Sequence, residues 1–259
     1  MRSPWRLIEH SGLFLEVLDA RAPAATTSLT FRRRFKGRPV IRFLMKADLA
    51  DPATNRAWVR ELGADGSMVL AVNRDNPHQV REARAALKEW ARHKSPFRKI
   101  RASAVGIPNT GKSSLINALV GRKRQATGDR PGVTRGVEWV KLVGGILLLD
   151  QPGVMGDDEL GMEDFWRRTC CGTVPQGDWD PEEVAGHLSA HLDEKRPGWA
   201  DALDLPGDVS GEGDILDRLA RRQGLLGQGG VLDRASAGRR LVDAFRKGRL
   251  GRISLERPP

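Results

Sequence analysis

Eight consecutive residues, Gly106-Ile107-Pro108-Asn109-Thr110-Gly111-Lys112-Ser113, carry the densest chemistry in the sequence. They satisfy the spacing GxxxxGK[ST]: glycines let the backbone close around phosphate so that successive N–H groups face the anion, Lys112 neutralises the outer phosphates, and the Ser113 hydroxyl ligates Mg²⁺. Asn109, Thr110, Gly111, Lys112, Ser113 and Ser114 are the expected contacts. Further on, Leu147-Leu148-Leu149-Asp150-Gln151-Pro152-Gly153 puts a carboxylate at the end of an apolar run. Asp150 there can hold the metal's water shell, and the N–H of Gly153 can approach a terminal phosphate closely because no Cβ intervenes. Between them, Gly128-Asp129-Arg130-Pro131-Gly132-Val133-Thr134-Arg135-Gly136 offers one threonine suited to bridge Mg²⁺ and the last phosphate. Such a contact orders a loop in the triphosphate state and releases it afterwards. Lys112, Thr134 and Gly153 are thus the expected catalytic residues, and Ser113, Thr134 and Asp150, the last through water, the expected Mg²⁺ set.

Met45-Lys46-Ala47-Asp48 approximates the guanine-reading motif NKxD of GTPases, with methionine in place of asparagine. A carboxylate at Asp48 accepts from guanine N1 and the exocyclic amine, whereas adenine presents an acceptor at N1 and leaves the carboxylate unpaired. Met45 removes one polar contact to the base and to the phosphate loop, so weaker affinity with retained guanine preference is expected.

These motifs need elements to position them. Residues 13–18 form an apolar run closed by Asp19, Arg21 and Pro23, which reads as a buried strand. Residues 40–45 and 67–72 read as a second and third strand. Asp51-Pro52 and Asn76-Pro77 are helix starts, an N-cap acceptor followed by proline at the first helical position. Trp58 and Leu62 line the first helix, Val80, Ala83, Leu87 and Trp90 the second. A fourth strand from Ile100 leads into the phosphate loop, and strands over 137–143 and 146–149 end at Asp150. The sum is a mostly parallel α/β sheet with helices on both faces. Beyond Thr173 the texture changes to Pro/Gly-rich linkers and helical patterns such as Ile215-Leu216-Leu219 and Leu241-Val242-Phe245, so residues 1–172 and 173–259 are expected as two domains, the second small and all-α. Residues 32–38, with five cationic side chains of seven, read as a basic loop that is either solvated or a phosphate-contacting patch.

The chain has 259 residues, 39% of them hydrophobic and spread through most of its length, which excludes disorder as the main state. Lys and Arg total 43 against 33 Asp and Glu, a formal charge of +10 that points to a polyanionic partner. The two cysteines, Cys170 and Cys171, are adjacent and cannot staple distant segments, so a reducing, cytoplasmic compartment is expected. The first apolar run is broken at once by Glu16 and Asp19, and neither signal peptide nor membrane span is expected. A monomer is expected.

The order of motifs, base reading before the phosphate loop, resembles that of circularly permuted GTPases. The chain is similar to the ribosome biogenesis GTPase A family, also called YlqF-like. The similarity runs through Glu16-Val17-Leu18-Asp19-Ala20-Arg21-Ala22-Pro23, Lys46-Ala47-Asp48, residues 106–114, Gly128-Asp129-Arg130-Pro131-Gly132-Val133-Thr134, Asp150-Gln151-Pro152-Gly153-Val154, and residues 244–252. That resemblance implies a circularly permuted P-loop GTPase domain and a C-terminal helical domain that grips ribosomal RNA. It implies an enzyme hydrolysing GTP to GDP and phosphate, acting late in assembly of the large (50S) ribosomal subunit and stimulated by the ribosome. By position, Asn73 and Arg74 match the family's base-side loop, and Asn109 matches an asparagine that helps hold K⁺. The excess of cations among residues 235–259, with Arg239, Arg240, Arg246, Lys247, Arg249, Arg252 and Arg257, is consistent with an RNA footprint.

Three departures stand out. Met45 replaces the asparagine; the family's N-terminal Trp-Phe-Pro-Gly-His segment has no counterpart, since His10 lies too close to Glu16; and Val154 stands where Ras-like enzymes carry a water-orienting glutamine. Slow intrinsic hydrolysis is expected. An RNA-binding assembly factor with a degenerate, weakly or non-hydrolysing nucleotide site is the alternative, and an ATP-using enzyme is disfavoured by Asp48. His187 and His191 share metal-ligand spacing but lack a third ligand and read as a packing pair. Cys170 and Cys171 read likewise as packing, and Asp157, Asp158, Glu159, Glu163 and Asp164 as a solvated acidic stretch.

Overall fold

Leu13–Asp19 (β1) is buried along its whole length, as a strand with neighbours on both sides and helices on both faces must be. The computed structural model describes residues 8–94, 99–120, 139–149, 160–205 and 214–259. β1 pairs in parallel with Val40–Met45 (β2) and with Ile100–Val105 (β4). β2 pairs in parallel with Met68–Val72 (β3), β4 in parallel with Ile146–Leu149 (β6), and Trp139–Lys141 (β5) closes one edge antiparallel to β6. The order across the sheet is β3-β2-β1-β4-β6-β5. Counted from β4 as the first strand, the same sheet reads 6-5-4-1-3-2, so the permutation moves where the chain enters the sheet and leaves its spatial order intact. The order reverses between β1 and β4, the place where an open α/β sheet gathers ligands at the carboxyl ends of its strands.

Alternation along β1 builds both layers. Leu13, Leu15 and Val17 pack with Ala83, Leu87 and Ala91 of Pro77–Lys94 (α3) and with Leu115 and Leu119 of Lys112–Val120 (α4). On the other face Phe14 packs with Phe31 and Phe35, and Leu18 and Leu44 with Trp58 of Pro52–Gly63 (α2). The Asp51 side chain accepts from the Thr54 N–H at 2.7 Å, the cap that the Asp-Pro pair announces. Ser103 in β4, polar for a central strand, is buried and hydrogen-bonded to Ser11 at 2.7 Å, which removes the cost of its hydroxyl.

Three expectations are corrected. The basic run is not all loop: Leu29–Arg34 (α1) is a helix capped by Ser28, whose side chain accepts from the Phe31 N–H. Phe31 and Phe35, four apart, pack against Phe14, the first edge-on and the second tilted, with ring centroids 5.2 and 4.7 Å away, and that burial outweighs the repulsion of adjacent arginines. The expected strand over 137–143 is a strand only at Trp139–Lys141 among the described residues, because Gly144 and Gly145 turn the chain at positive φ back into β6. The third strand begins at Met68, since the Ser67 N–H is taken by Asp65 Oδ1 in a turn.

A second apolar cluster joins Met162–Cys171 (α5), Pro181–Lys195 (α6), Ile215–Gln223 (α7) and Arg234–Arg246 (α8), with Leu250, Ile253 and Leu255 of the following segment. Trp166, Cys170 and Cys171 of α5 belong to it, ahead of the expected boundary at 173, and so do Ala22 and Ala25 after β1. At Gly238 a Cβ would stand 2.3 Å from the Pro181 carbonyl oxygen, so α8 meets the start of α6 backbone to backbone.

Candidate nucleotide site

The phosphate loop leaves β4 at Gly106, where φ is +149° and a Cβ would lie 2.4 Å from the Val17 carbonyl oxygen. Only glycine passes that close to β1. The loop turns through Asn109 (φ +60°) and Gly111 (φ +110°), and α4 begins at Lys112. Thr110 is fully buried and donates from its hydroxyl to the Ile107 carbonyl at 3.0 Å, which holds the loop's shape from within. Lys112 Nζ donates to the carbonyls of Gly106 and Ile107 at 2.8 and 2.6 Å. Burial pushes its ammonium down to about 8, and among the described residues no carboxylate lies within 4 Å to offset that. A half-buried cation held only by carbonyls at the head of a helix is suited to an anion. Ser113 and Ser114 follow in the first turn of α4.

The base side assembles beside it. Met45 and Asp19 are cross-strand partners at the ends of β2 and β1, and Lys46 follows at φ +59°, a conformation rare for a residue with a Cβ. Lys46 Nζ lies 2.8 Å from Asp19 Oδ2 and 3.4 Å from the Cys171 carbonyl. Asp19 is wholly buried and also receives the Arg21 fork, Nε at 2.9 Å and Nη2 at 2.8 Å. Burial alone would raise its carboxyl, but the Arg21 and Lys46 charges and hydrogen bonds prevail and hold it far below the usual carboxylate range. Arg21 in turn lies over the Phe245 ring of α8 at 5.0 Å. Met45, 2% exposed, packs beneath the phosphate loop: a Cβ at Gly111 would be 3.2 Å from Met45 Cβ. The contact that an asparagine would make by hydrogen bonding is made here by apolar packing.

Asp48 is exposed and lines a cleft of about 250 Å³ with Met45, Lys46, Asn73, Arg74, Gly111 and Ser114. Sequence-predicted residues of three separate segments, 45–48, 73–74 and 111–114, thus meet in one place. Arg74 Nη1 donates to Ser114 Oγ at 3.1 Å, joining the base-side loop to α4, and Asn73 Oδ1 accepts from the Asp75 N–H at 2.9 Å. Ala47 is buried below the cleft, and its N–H reaches the Val72 carbonyl at 3.4 Å. Asn109 Nδ2 donates to the Gly172 carbonyl at 2.8 Å, at the end of α5. Thr134, Asp150, Gly153 and Val154, with the glycine-rich loop of 128–136, lie outside the described residues.

Sequence reasoning gave Asp19 no role; its place in the run 16–23 was the available signal. Arg252, counted there only as a tail cation, donates to the backbone around Asp48. Arg246 is likewise engaged, donating to the Thr169 carbonyl and lying over the Trp179 ring, whereas Arg240, Arg249 and Arg257 are exposed and make no ion pair within 4 Å among the described residues, Arg257 acting on Glu194 only at longer range. His187 stacks on Trp166 at 5.9 Å and His191 Nε2 meets the Ser254 carbonyl at 2.9 Å, so both are packing groups. No cluster of three metal-ligating side chains occurs among the described residues. Burial pushes the Cys170 thiol up to about 12 and Cys171 well above its ordinary value, which leaves neither nucleophilic at neutral pH. No helix among the described residues is long and apolar enough to cross a membrane.

Residues 101–172 match the family model described as 50S ribosome-binding GTPase. Ribosome biogenesis GTPase A of Bacillus licheniformis is 31% identical, over 94% of this chain and 89% of its own length. The protein of the same name from Thermotoga maritima is 29% identical, over 94% and 85%. Among solved structures, the GNP-bound crystal structure of YlqF from T. maritima superposes with a TM-score of 0.71 at 26% identity, covering 98% of this chain and 96% of that one. With Met45-Lys46-Ala47-Asp48 ahead of the phosphate loop in the sequence and the order across the sheet unchanged, the chain belongs to the ribosome biogenesis GTPase A family and is a circularly permuted GTPase.

Proposed function

We propose that the chain binds GTP in the cleft between residues 45–48, 73–74 and 109–114, hydrolyses it slowly, and uses its nucleotide state to control association with a precursor of the large ribosomal subunit. The observation that carries this reading is the convergence of Asp48, Lys46, Asn73, Arg74 and Ser114 around one cleft beside the anion-accepting Lys112. Asp48 reads the guanine edge, Lys46 lies along the base side, and the loop of 109–114 with Gly153 holds the phosphates. Mg²⁺ fits the donor set: Ser113 in the first turn of α4 would hold it with Thr134, and with Asp150 through water. It would neutralise charge on the outer phosphates. Asn109, whose amide N–H is committed to Gly172, keeps its side-chain oxygen for K⁺. Ribosomal RNA is the partner proposed for the exposed Arg240, Arg249 and Arg257, whose grip weakens with salt.

A second reading, an RNA-binding assembly factor with a non-hydrolysing site, rests on the apolar packing of Met45. Calorimetric titration with GTP, GDP and ATP in Mg²⁺ and K⁺, repeated on Asp48→Ala, separates the two. Guanine-selective binding that Asp48→Ala abolishes supports the first; no nucleotide binding by a folded chain leaves the second.

A further inference from the structure

The turn that presents Asp48 is held from outside the sheet, by a segment as much as 205 positions later in the chain. Arg252 donates from Nε to the Ala50 carbonyl and from Nη2 to the Ala47 carbonyl, each at 3.1 Å. Asn55 Nδ2 donates to the same Ala47 oxygen at 3.1 Å. The Ile253 N–H donates to the Leu49 carbonyl at 3.0 Å, and the Asp51 N–H donates to Ser254 Oγ at 3.2 Å. Three carbonyls and one N–H of residues 47–51 therefore end on residues 252–254. Asp48 stands in this turn, two residues after the positive-φ Lys46. Ile253 and Leu255 are buried in the apolar cluster of the helical layer, which anchors the tail that Arg252 extends from.

A carboxylate that must meet two donors on one base edge tolerates a misplacement of only about 0.5 Å before the geometry degrades. We propose that Arg252 is a positioning residue for base recognition: its guanidinium fork fixes the turn that aims Asp48, so the helical layer sets how sharply the cleft discriminates guanine. The inference rests on the reading of Asp48 as the guanine reader. It gives the tail cation a task inside the molecule, and it makes anything that pulls residues 252–254 away from the turn a means of loosening the guanine grip while leaving the phosphate loop untouched.

The test uses the full chain with Arg252→Met, which keeps the aliphatic stem and removes the donors, and Arg252→Lys. The KM for GTP in Arg252→Met should rise about tenfold with kcat within about twofold, the pattern of lost binding common to ground and transition state. Competition by GDP should weaken by the same factor while competition by ADP and by pyrophosphate stays constant, so the GDP-to-ADP preference falls about tenfold. Arg252→Lys should recover part of that preference, because an ammonium can still reach one of the two carbonyls. If Arg252→Met does not fold, Ser254→Ala should shift the preference in the same direction by about twofold, the size of one weak hydrogen bond.

An unchanged GDP-to-ADP preference in Arg252→Met, with Asp48→Ala abolishing that preference, would overturn the proposal and leave the guanine reading standing. An equal loss for GDP and pyrophosphate would also overturn it, as general loosening. A preference unaffected by Asp48→Ala would sink the guanine reading and the proposal with it.

Discussion

The ammonium of Lys46 lies 2.8 Å from the carboxylate of Asp19, and that carboxylate is fully buried beneath the base side of the cleft. Asp19 thereby ties the residue that follows β2 to Arg21 and, through the Arg21 guanidinium over Phe245, to α8. Asp19→Asn leaves two cations facing a neutral amide in a buried place. Breaking a buried pair on one side costs about 3–5 kcal/mol. Urea denaturation should show the unfolding free energy falling by that amount, read as a lower midpoint at unchanged slope, and a loss below about 1 kcal/mol would show that the network is solvated.

Met45→Asn should tighten guanine nucleotides and weaken the free protein. The amide regains a polar contact to the base and phosphate loop, worth about 1 kcal/mol or five- to tenfold in affinity. The price is a polar group in the apolar contact now made by Met45 against Gly111. Calorimetry with GDP, paired with melting of nucleotide-free protein, should show the two changes with opposite sign.

Nucleotide binding should become proton-linked above pH 8. Burial holds Lys112 at about 8 in the free protein, and phosphates arriving beside it raise that value again. Below pH 8 the ammonium is present in both states and affinity is flat. Above it, binding must take up a proton, so the Kd for GDP rises by at most about tenfold per pH unit. Titrations at pH 7, 8 and 8.5 in buffers of different ionisation enthalpy should show proton uptake growing over that range, and uptake absent at pH 8.5 would contradict the assignment.

Glu256 gives stability a pH slope of unusual sign. Burial raises its carboxyl to about 7, against the pull of the Ala24 and Ala25 N–H groups that it accepts from. Between pH 4.5 and 7 the native state holds this proton while the unfolded state has released it, so this residue's contribution is full below 4.5 and falls as pH rises, by at most about 3 kcal/mol in total. Thermal melts from pH 5 to 8 should show wild type losing ground steadily to Glu256→Gln, and parallel curves would refute the shift.

The α/β frame was legible because its signals are local. Asp51-Pro52 caps α2, Asn76 accepts from the N–H groups of His78 and Gln79 at the head of α3, and the glycine-rich loop sits between β4 and α4 as its spacing demands. The nearness of Asp48 and Lys46 to the phosphate loop followed from the same local motifs, while their roles toward a nucleotide stay with the proposal. Helix α1 was hidden because three arginines dominate a segment whose structure is decided by Phe31 and Phe35. The roles of Asp19 and Arg252 depend on partners in other parts of the chain, 27 positions away for the first and about two hundred for the second. Such contacts leave no periodicity to read.

The hold of residues 252–254 on the turn after β2 also fixes an order of events during synthesis. The turn leaves the translating ribosome some two hundred residues before the segment that holds it. A nascent chain can assemble β1, β2 and the phosphate loop and still lack the brace around Asp48. With the roles proposed for Asp48 and Arg252, firm guanine recognition would arrive with the tail, and a growing chain would not grip nucleotide selectively until its helical layer had been made.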